Sequence, residues 1–147
     1  MHPTAVKLQG RLRERGLDVE ARELPGSTRT AKDAAAAVGC EVAQIVKSLV
    51  FMRDDAPVLV LCAGDRRVDA EALGLRAATG DEARAATGFA IGGIPPLGHE
   101  RDLPTVVDES LLRFDTVWCA AGTPNAVFSV ATAALVAAIP DADVRPI

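Results

Sequence analysis

Two stretches of the chain are apolar at nearly every position. Residues 45–52 and 58–63 carry apolar side chains on both parities, which is typical of strands that are covered on both faces. The polar segment between them, residues 53–57, is short enough for a turn. The pattern therefore predicts an antiparallel hairpin at the centre of the fold.

The segments on either side of this hairpin show the apolar spacing of helices or the alternation of half-buried strands. Ala5, Leu8 and Leu12 share one helical face in residues 4–15, with charged residues opposite and Gly16 as a stop. Residues 18–24 alternate and predict an edge strand, and residues 25–27 break the chain before a helix with Thr30 as N-cap. The other predicted helices are residues 31–38, 69–73, 81–87 and 133–139, and the other predicted strands are residues 105–107, 116–121 and 126–130.

Strands outnumber a simple alternation of strand and helix in this order. A mixed α+β domain is therefore favoured over a doubly wound one. With 147 residues and no repeat or linker, the whole chain, residues 1–147, is expected to form a single domain.

Composition narrows the function classes. The net charge of −4 and an aromatic content of 3% argue against a protein that coats nucleic acid or stacks exposed bases. The first 32 residues, however, hold seven basic and four acidic side chains, so a local basic patch can still face a nucleic-acid backbone. The longest apolar run, residues 126–139, is too short to cross a membrane, and the N-terminus has no signal layout.

Cysteine and histidine are too sparse for a metal centre. Cys40, Cys62 and Cys119 are widely spaced and are expected to be reduced, packed thiols of a cytoplasmic protein. Because the two histidines, His2 and His99, form no ligand spacing, no metal site is expected. His99 lies in a predicted loop, where a solvated side chain is the ordinary outcome.

Lys47 is the most informative single residue, because it lies inside the first apolar strand. A buried ammonium costs several kcal/mol unless it reaches water or an anion. Lys47 either extends to solvent from the start of the strand or lies at a pocket floor facing a phosphate or carboxyl oxygen. Ser48 points to the opposite face of the strand, which argues against a serine–lysine dyad.

A loop rich in glycine and proline, residues 88–99, is the second candidate. Glycines allow a ligand to approach the backbone, and prolines fix the direction of the carbonyl groups. Downstream, Asp108 either orients a polar group or caps the turn that follows it, and residues 122–125 predict a turn between strands.

Several motifs of the chain, in this order and spacing, resemble the YbaK/prolyl-tRNA-synthetase-associated family of aminoacyl-tRNA editing domains. The resemblance covers nearly the whole chain and rests on Thr30-Ala31 with Ala34-Ala35, residues 44–51, residues 64–69, residues 87–99 and residues 103–108. It implies a central, mixed, mostly antiparallel twisted sheet flanked by helices.

The resemblance also implies a function. Members hydrolyse mischarged aminoacyl-tRNA without a cofactor, often tRNA charged in error by prolyl-tRNA synthetase, so that the tRNA 3′ end and that synthetase are the expected partners. Lys47 falls on the family's functional lysine, and Gly92, Gly93 and Pro96 fall on its GxxxP loop, which positions the ester carbonyl and water. The residues expected to contact substrate are Thr30, Ser48, Ile94, Asp108, Ala120, Ala121 and Gly122.

One branch of the family differs in its pocket. Cysteinyl-tRNA deacylases carry a Ser and an Asp where this chain has Ala120 and Val127. This loss of polar groups argues against cysteine as the amino acid, and the small residues Ala120 and Ala121 are compatible with alanine or serine. Two other functions stay open: a non-catalytic module that binds aminoacyl-tRNA or an aminoacyl-adenylate, and a pocket for another acyl or nucleotide metabolite.

Overall fold

The computed structural model describes residues 1–25 and 30–147. Gly26 and Ser27 of the predicted break lie outside the described residues. The α-helices are α1 (Pro3–Glu14), α2 (Ala31–Val38), α3 (Gly80–Thr87) and α4 (Thr132–Ala138). The strands are β1 (Arg22–Glu23), β2 (Ile45–Arg53), β3 (Ala56–Ala63), β4 (Arg76–Ala77), β5 (Thr105–Asp108), β6 (Thr116–Ala120), β7 (Ala126–Ala131) and β8 (Asp143–Arg145). Short 3-10 helices at Val42–Gln44 and Glu109–Arg113 precede β2 and follow β5.

All the described strands belong to one sheet with the order β1-β7-β6-β2-β3-β5-β8, and β4 pairs with β2 outside this path. The predicted hairpin is confirmed, with β2 and β3 antiparallel from Val46 opposite Ala63 to Arg53 opposite Ala56. Parallel pairs join β2 to β6, β3 to β5 and β5 to β8, whereas the other strand pairs are antiparallel. The predicted α+β class and mixed, mostly antiparallel sheet are therefore confirmed.

Helices cover both faces of the sheet, as the double-parity apolar pattern of β2 and β3 requires. On one face, the large core joins Val46 and Val50 to Leu8 and Leu12 of α1 and to residues of α3 and α4. On the other face, Ile45 packs with α2 and Trp118. Each buried leucine contributes about 1.5–3 kcal/mol to this packing.

Thr30 caps α2 as predicted, because its Oγ accepts a hydrogen bond from the Asp33 amide at 3.1 Å. Residues 18–24 were expected to form a longer strand than they do. Their side chains alternate between exposed and buried from residue 18 to residue 22, but only Arg22 and Glu23, which are both exposed, pair, with Val127 and Ala126. The alternating pattern therefore predicted the burial correctly and the length of pairing wrongly.

The helix predicted at residues 69–73 is wrong, because the chain forms consecutive turns there. The Asp69 carboxylate accepts the Ala72 amide at 3.2 Å, and the Leu75 amide donates to the Ala70 carbonyl at 2.8 Å. Gly74, at φ +69°, then turns the chain into β4. None of the helices in the described ranges combines the length and apolar content that a bilayer crossing would need.

Candidate active site

A gap in strand pairing forms the candidate site. On one side of β2, β6 pairs with Ile45 and Val46, and β4 pairs with Phe51 and Met52. The Val50 carbonyl accepts the Ala78 amide at 3.3 Å, and because alternate residues direct their backbone groups to the same side, the N–H and C=O of Ser48 face this gap. The gap exists because β6 ends at Ala120, where the chain turns toward β7.

A cavity of about 720 Å³ opens at this gap, within the range that small ligands occupy. On the α2 side of the sheet, its lining includes the polar and charged residues Thr30, Lys32, Lys47, Asp65, Arg66 and Arg67, together with apolar residues such as Ile45, Trp118, Ala120 and Val127. On the opposite side of the sheet, its lining includes the apolar residues Val46, Val50, Ala78, Ala83 and Ile94, together with Ser48. The cavity therefore offers cations to one part of a ligand and a small apolar surface to another.

Lys47 lies in the wall of this cavity. It is half-buried, and its ammonium donates a hydrogen bond to the Arg66 carbonyl oxygen. Within residues 1–25 and 30–147, no carboxylate lies within ion-pair distance of Lys47. Lys47 thus lines the pocket and keeps its ammonium accessible, so that the ammonium can bind an anion there.

The segment that accepts this hydrogen bond is fixed by close packing at Gly64. A Cβ atom on Gly64 would lie 2.2 Å from the Val42 carbonyl oxygen and 2.9 Å from the Ala31 Cβ. The Arg66 amide donates to the Ala63 carbonyl at 3.0 Å, which closes a turn directly after β3. Glycine is therefore required where the loop that carries Arg66 and Arg67 crosses beneath α2.

Cys62 lies directly across from Lys47 in the hairpin. Burial raises the pKa of its thiol to about 11, although the positive charge of Lys47 acts in the opposite direction. Burial likewise raises the pKa of Cys119, which also lines the cavity. Both thiols stay protonated at neutral pH, so neither provides the thiolate that nucleophilic catalysis requires.

The glycine–proline loop contributes its front side to the cavity. Gly92, at φ +95°, and Ile94 line the wall, and Gly92 is exposed. Gly93 packs behind them, because a Cβ there would lie 2.9 Å from the Thr123 Cα. Pro96 is buried and lies outside the cavity wall. The loop thus presents Gly92 and Ile94 to a ligand, and Gly93 and Pro96 hold them from behind.

The expectation of a solvated His99 is wrong, because the side chain is only 5% exposed. Its Nε2 lies 2.8 Å from the Pro95 carbonyl oxygen, and its ring meets the Phe89 ring edge-on at a centroid distance of 6.2 Å. Burial lowers the pKa of His99. A loop position in sequence did not reveal that the loop folds back on the core.

Asp108 is placed away from the cavity and is 1% exposed. Its Oδ1 accepts the Ser110 amide at 2.9 Å and its Oδ2 accepts the Ala63 amide at 3.0 Å. The capping role that the sequence allowed is thus the one the structure shows. Because backbone N–H groups engage both oxygens, Asp108 is not in a position to bind substrate.

The remaining predicted residues divide between the wall and its support. Thr30, Ser48 and Ala120 line the cavity with Lys47, Gly92 and Ile94, whereas Ala121 and Gly122 do not. The Ala121 amide donates to the Ala126 carbonyl at 2.8 Å, and Gly122, at φ +96°, packs against Phe89. Ala121 and Gly122 therefore form the turn between β6 and β7 rather than a binding surface.

Several wall residues carried no predicted role: Lys32, Arg66, Arg67, Ile91 and Trp118. The basic pair directly after an apolar strand was the available signal for Arg66 and Arg67. Trp118 offered none, because only the parallel pairing of β6 with β2 places it opposite Ile45. Across the described ranges, His, Cys, Asp and Glu side chains form no group of three or more that could hold a metal ion.

Comparison with known proteins gives this geometry a context. Residues 26–138 match the sequence model of a family described as the aminoacyl-tRNA editing domain. The uncharacterized protein YwhH of Bacillus subtilis (strain 168) is 33% identical over 115 residues, which cover 74% of this chain and 73% of YwhH. A crystal structure of a proposed trans-editing enzyme for prolyl-tRNA synthetase matches with a TM-score of 0.91 and 47% identity, over 99% of this chain and 97% of that one.

A shorter match reaches a synthetase itself. The proline–tRNA ligase of Lactobacillus gasseri is 36% identical over 75 residues, which cover 46% of this chain and 13% of the ligase. The likeness is thus confined to a small part of that enzyme.

Proposed function

The chain belongs to the aminoacyl-tRNA editing domain family, and from this premise we propose that it hydrolyses the ester bond of mischarged aminoacyl-tRNA. The observation that carries the proposal is the cavity at the β2 gap, with Lys47 in its basic wall and Gly92 at its rim. We further propose that residues 1–147 act in trans, in the cytoplasm, on tRNA that prolyl-tRNA synthetase has charged in error. The names of the matched trans-editing protein and ligase support this choice of partner.

In the proposed reaction, a water oxygen attacks the ester carbonyl carbon and the bond from that carbon to the ribose oxygen breaks. The proton lost by the water ends on the ribose hydroxyl, so that the products are the free amino acid and deacylated tRNA. An aminoacyl ester is already activated, so alignment of water and carbonyl supplies much of the rate. A wall without a catalytic triad is compatible with this chemistry.

The basic wall is assigned to the nucleotide end of the substrate. Lys47 holds the terminal phosphate and ribose, and Arg66, Arg67 and Lys32 provide further cations at the rim. Ammonium and guanidinium groups bind phosphate strongly where water is partly excluded. Thr30, beside Lys32, contributes a polar contact at the same rim.

The apolar wall is assigned to the amino acid. Val46, Val50 and Ala83 leave room for a small side chain, and Ile94 closes one side. Ser48 is the polar exception, because its buried Oγ has no hydrogen-bond partner among the described residues. A buried hydroxyl without a partner costs about 1–3 kcal/mol, and a polar group of the bound aminoacyl moiety would remove that cost.

Gly92 is assigned to the reacting ester. Its left-handed backbone, at φ +95°, and its exposure bring main-chain groups to the rim without a side chain in the way. Backbone dipoles held in place from behind by Gly93 and Pro96 orient a carbonyl and a water at no cost in reorganisation.

The proposal is tested by incubating the purified protein with a panel of proline-specific tRNAs charged with alanine, serine, cysteine or proline. We expect faster hydrolysis than the buffer background for a small non-cognate amino acid and none for proline. No hydrolysis of any member would contradict the proposal. Saturable binding of a non-hydrolysable analogue without hydrolysis would instead support the non-catalytic binding module.

A further inference from the structure

The rear of the glycine–proline loop contains a buried histidine that the proposed reaction does not use. We infer that His99 is a positioning residue, whose imidazole fixes the Pro95 carbonyl and thereby holds Gly92 and Ile94 in the cavity wall. The inference rests on the proposed function for its catalytic readout, and on geometry alone for its structural one.

The first step concerns the backbone of the loop. Pro95 and Pro96 have no N–H groups, so this part of the loop cannot be fixed by amide donors of its own. Pro95 is fully buried, and its carbonyl oxygen must find a donor inside the protein. His99 supplies that donor at 2.8 Å.

The second step concerns the state of the ring. A carbonyl oxygen only accepts hydrogen bonds, so the proton must lie on Nε2 of His99. Burial lowers the pKa of the imidazole, which keeps the ring neutral at physiological pH. The hydrogen bond therefore depends on one tautomer.

The third step concerns what holds the ring. Phe89 meets the imidazole at an interplanar angle of 69°, and the Phe89 amide donates to the Thr87 hydroxyl at the end of α3. From α1, Arg11 donates to the Gly98 carbonyl at 3.1 Å, and Arg15 pairs with Asp102 at 2.8 Å. These charged groups, Arg11, Arg15 and Asp102, are also the ones that act on the pKa of the ring.

The fourth step connects the rear of the loop to its front. A Cβ on Gly98 would lie 2.6 Å from Leu8 Cδ1, so the chain next to His99 is packed directly on α1. At the other end, the Gly93 amide donates to the Ala90 carbonyl at 3.0 Å. Among the described residues, the bond from His99 to Pro95 is the side-chain hydrogen bond that restrains the loop between these points, and its loss frees Gly92 and Ile94 to shift.

The test compares His99→Leu with His99→Gln in the full chain. Leucine fills the site without a donor, whereas the glutamine amide can donate from nearly the position of Nε2. We expect His99→Leu to lower kcat by roughly tenfold to a hundredfold, since a misplacement of about 1 Å can cost up to about a hundredfold, with KM within about twofold. His99→Gln should restore most of kcat.

A second measurement does not depend on activity. Amide hydrogen exchange at Gly93 should accelerate in His99→Leu and stay near the wild-type rate in His99→Gln. If the wild-type protein deacylates nothing, the proposed function fails while exchange still decides the positioning role. Equal exchange in all three proteins, or equal acceleration in both variants, would overturn the inference.

Should His99→Leu fail to fold, the wild-type ring decides the matter. Nitrogen chemical shifts of the imidazole should show the proton on Nε2 at neutral pH. A proton on Nδ1 would overturn the inference, because Nε2 could then donate no hydrogen bond to Pro95.

Discussion

Two regions each carry a charged side chain on a core strand: the cavity floor at Lys47, and the β5 corner at Asp108, where β5 meets the following 3-10 helix. The two charges have opposite consequences. At the corner, Asp108 is 1% exposed and both of its oxygens accept backbone N–H groups. At the cavity floor, Lys47 is half-buried, and its ammonium contacts a carbonyl oxygen and no carboxylate within the described residues.

The difference shows how hydrogen-bond partners distinguish a charge that the fold uses fully from one that is left available to a ligand. The oxygens of Asp108 are fully used in joining β3 to the 3-10 helix after β5, so that this carboxylate stabilises the fold. An ammonium has three donors, and beside an open cavity the remaining ones can bind an anionic ligand. Removal of the Asp108 charge should therefore lower stability, whereas removal of the Lys47 charge should lower ligand binding and activity.

The largest expected effect on stability is at the corner. Asp108→Ala leaves two buried amides without acceptors and should lower the free energy of unfolding by about 3 kcal/mol. Asp108→Asn keeps one acceptor oxygen and should lose less. Urea unfolding measures both, with Lys47→Ala as the contrast, for which we expect a change of less than about 1 kcal/mol. If Asp108→Ala were as stable as the wild type, Asp108 would not have the structural role that distinguishes it from Lys47.

The next largest effect on stability is expected at Gly93, which packs behind the part of the glycine–proline loop that faces the cavity. Gly93→Ala places a Cβ 2.9 Å from the Thr123 backbone, so the loop or the β6–β7 turn must move, at a cost of about 1–3 kcal/mol. Deacylation should fall together with stability. Gly10→Ala is the matched control, because nothing lies within 4 Å of a Cβ at this helical position, and it should stabilise the protein by about 0.5–1 kcal/mol.

A smaller effect is expected in the pH dependence of stability, and it arises from His99. Burial lowers the pKa of His99 in the folded protein from its ordinary value of 6.5, so the unfolded chain binds the additional proton first as pH falls. Stability supplied by the neutral ring is therefore complete above about pH 6.5 and declines below it. Thermal unfolding from pH 8 to pH 5 should show this decline in the wild type and a weaker one in His99→Gln. If the unfolding temperatures of the two proteins changed equally with pH, the pKa of His99 would not differ between the folded and unfolded states.

Much of the fold followed from local pattern. The β2–β3 hairpin, the capped helix α2 and the buried face of α1 depend on neighbouring residues, and the sequence predicted them. Strands β4 and β8 were missed, because their two or three exposed residues carry no apolar signal and pair only through the surrounding structure.

The site was less predictable for the same reason. Lys47 stood out because a charge interrupts an apolar strand, and Gly92 because glycine and proline cluster around it. The position of His99 depends on a loop that folds back on α1, and that of Trp118 on a parallel pairing between distant segments. The local spacing of apolar and polar residues does not reveal such long-range contacts.

The central claim is that the ammonium of Lys47 serves the reaction rather than the fold. The most direct measurement is the deacylation rate of Lys47→Ala beside Lys7→Ala, an exposed lysine on α1 outside the cavity wall, with unfolding curves for both. We expect Lys47→Ala to lose roughly a hundredfold in deacylation, as the loss of one charge-assisted contact of 1.5–3 kcal/mol implies, with wild-type stability, and Lys7→Ala to match the wild type in both. Deacylation by Lys47→Ala at the wild-type rate would contradict the account.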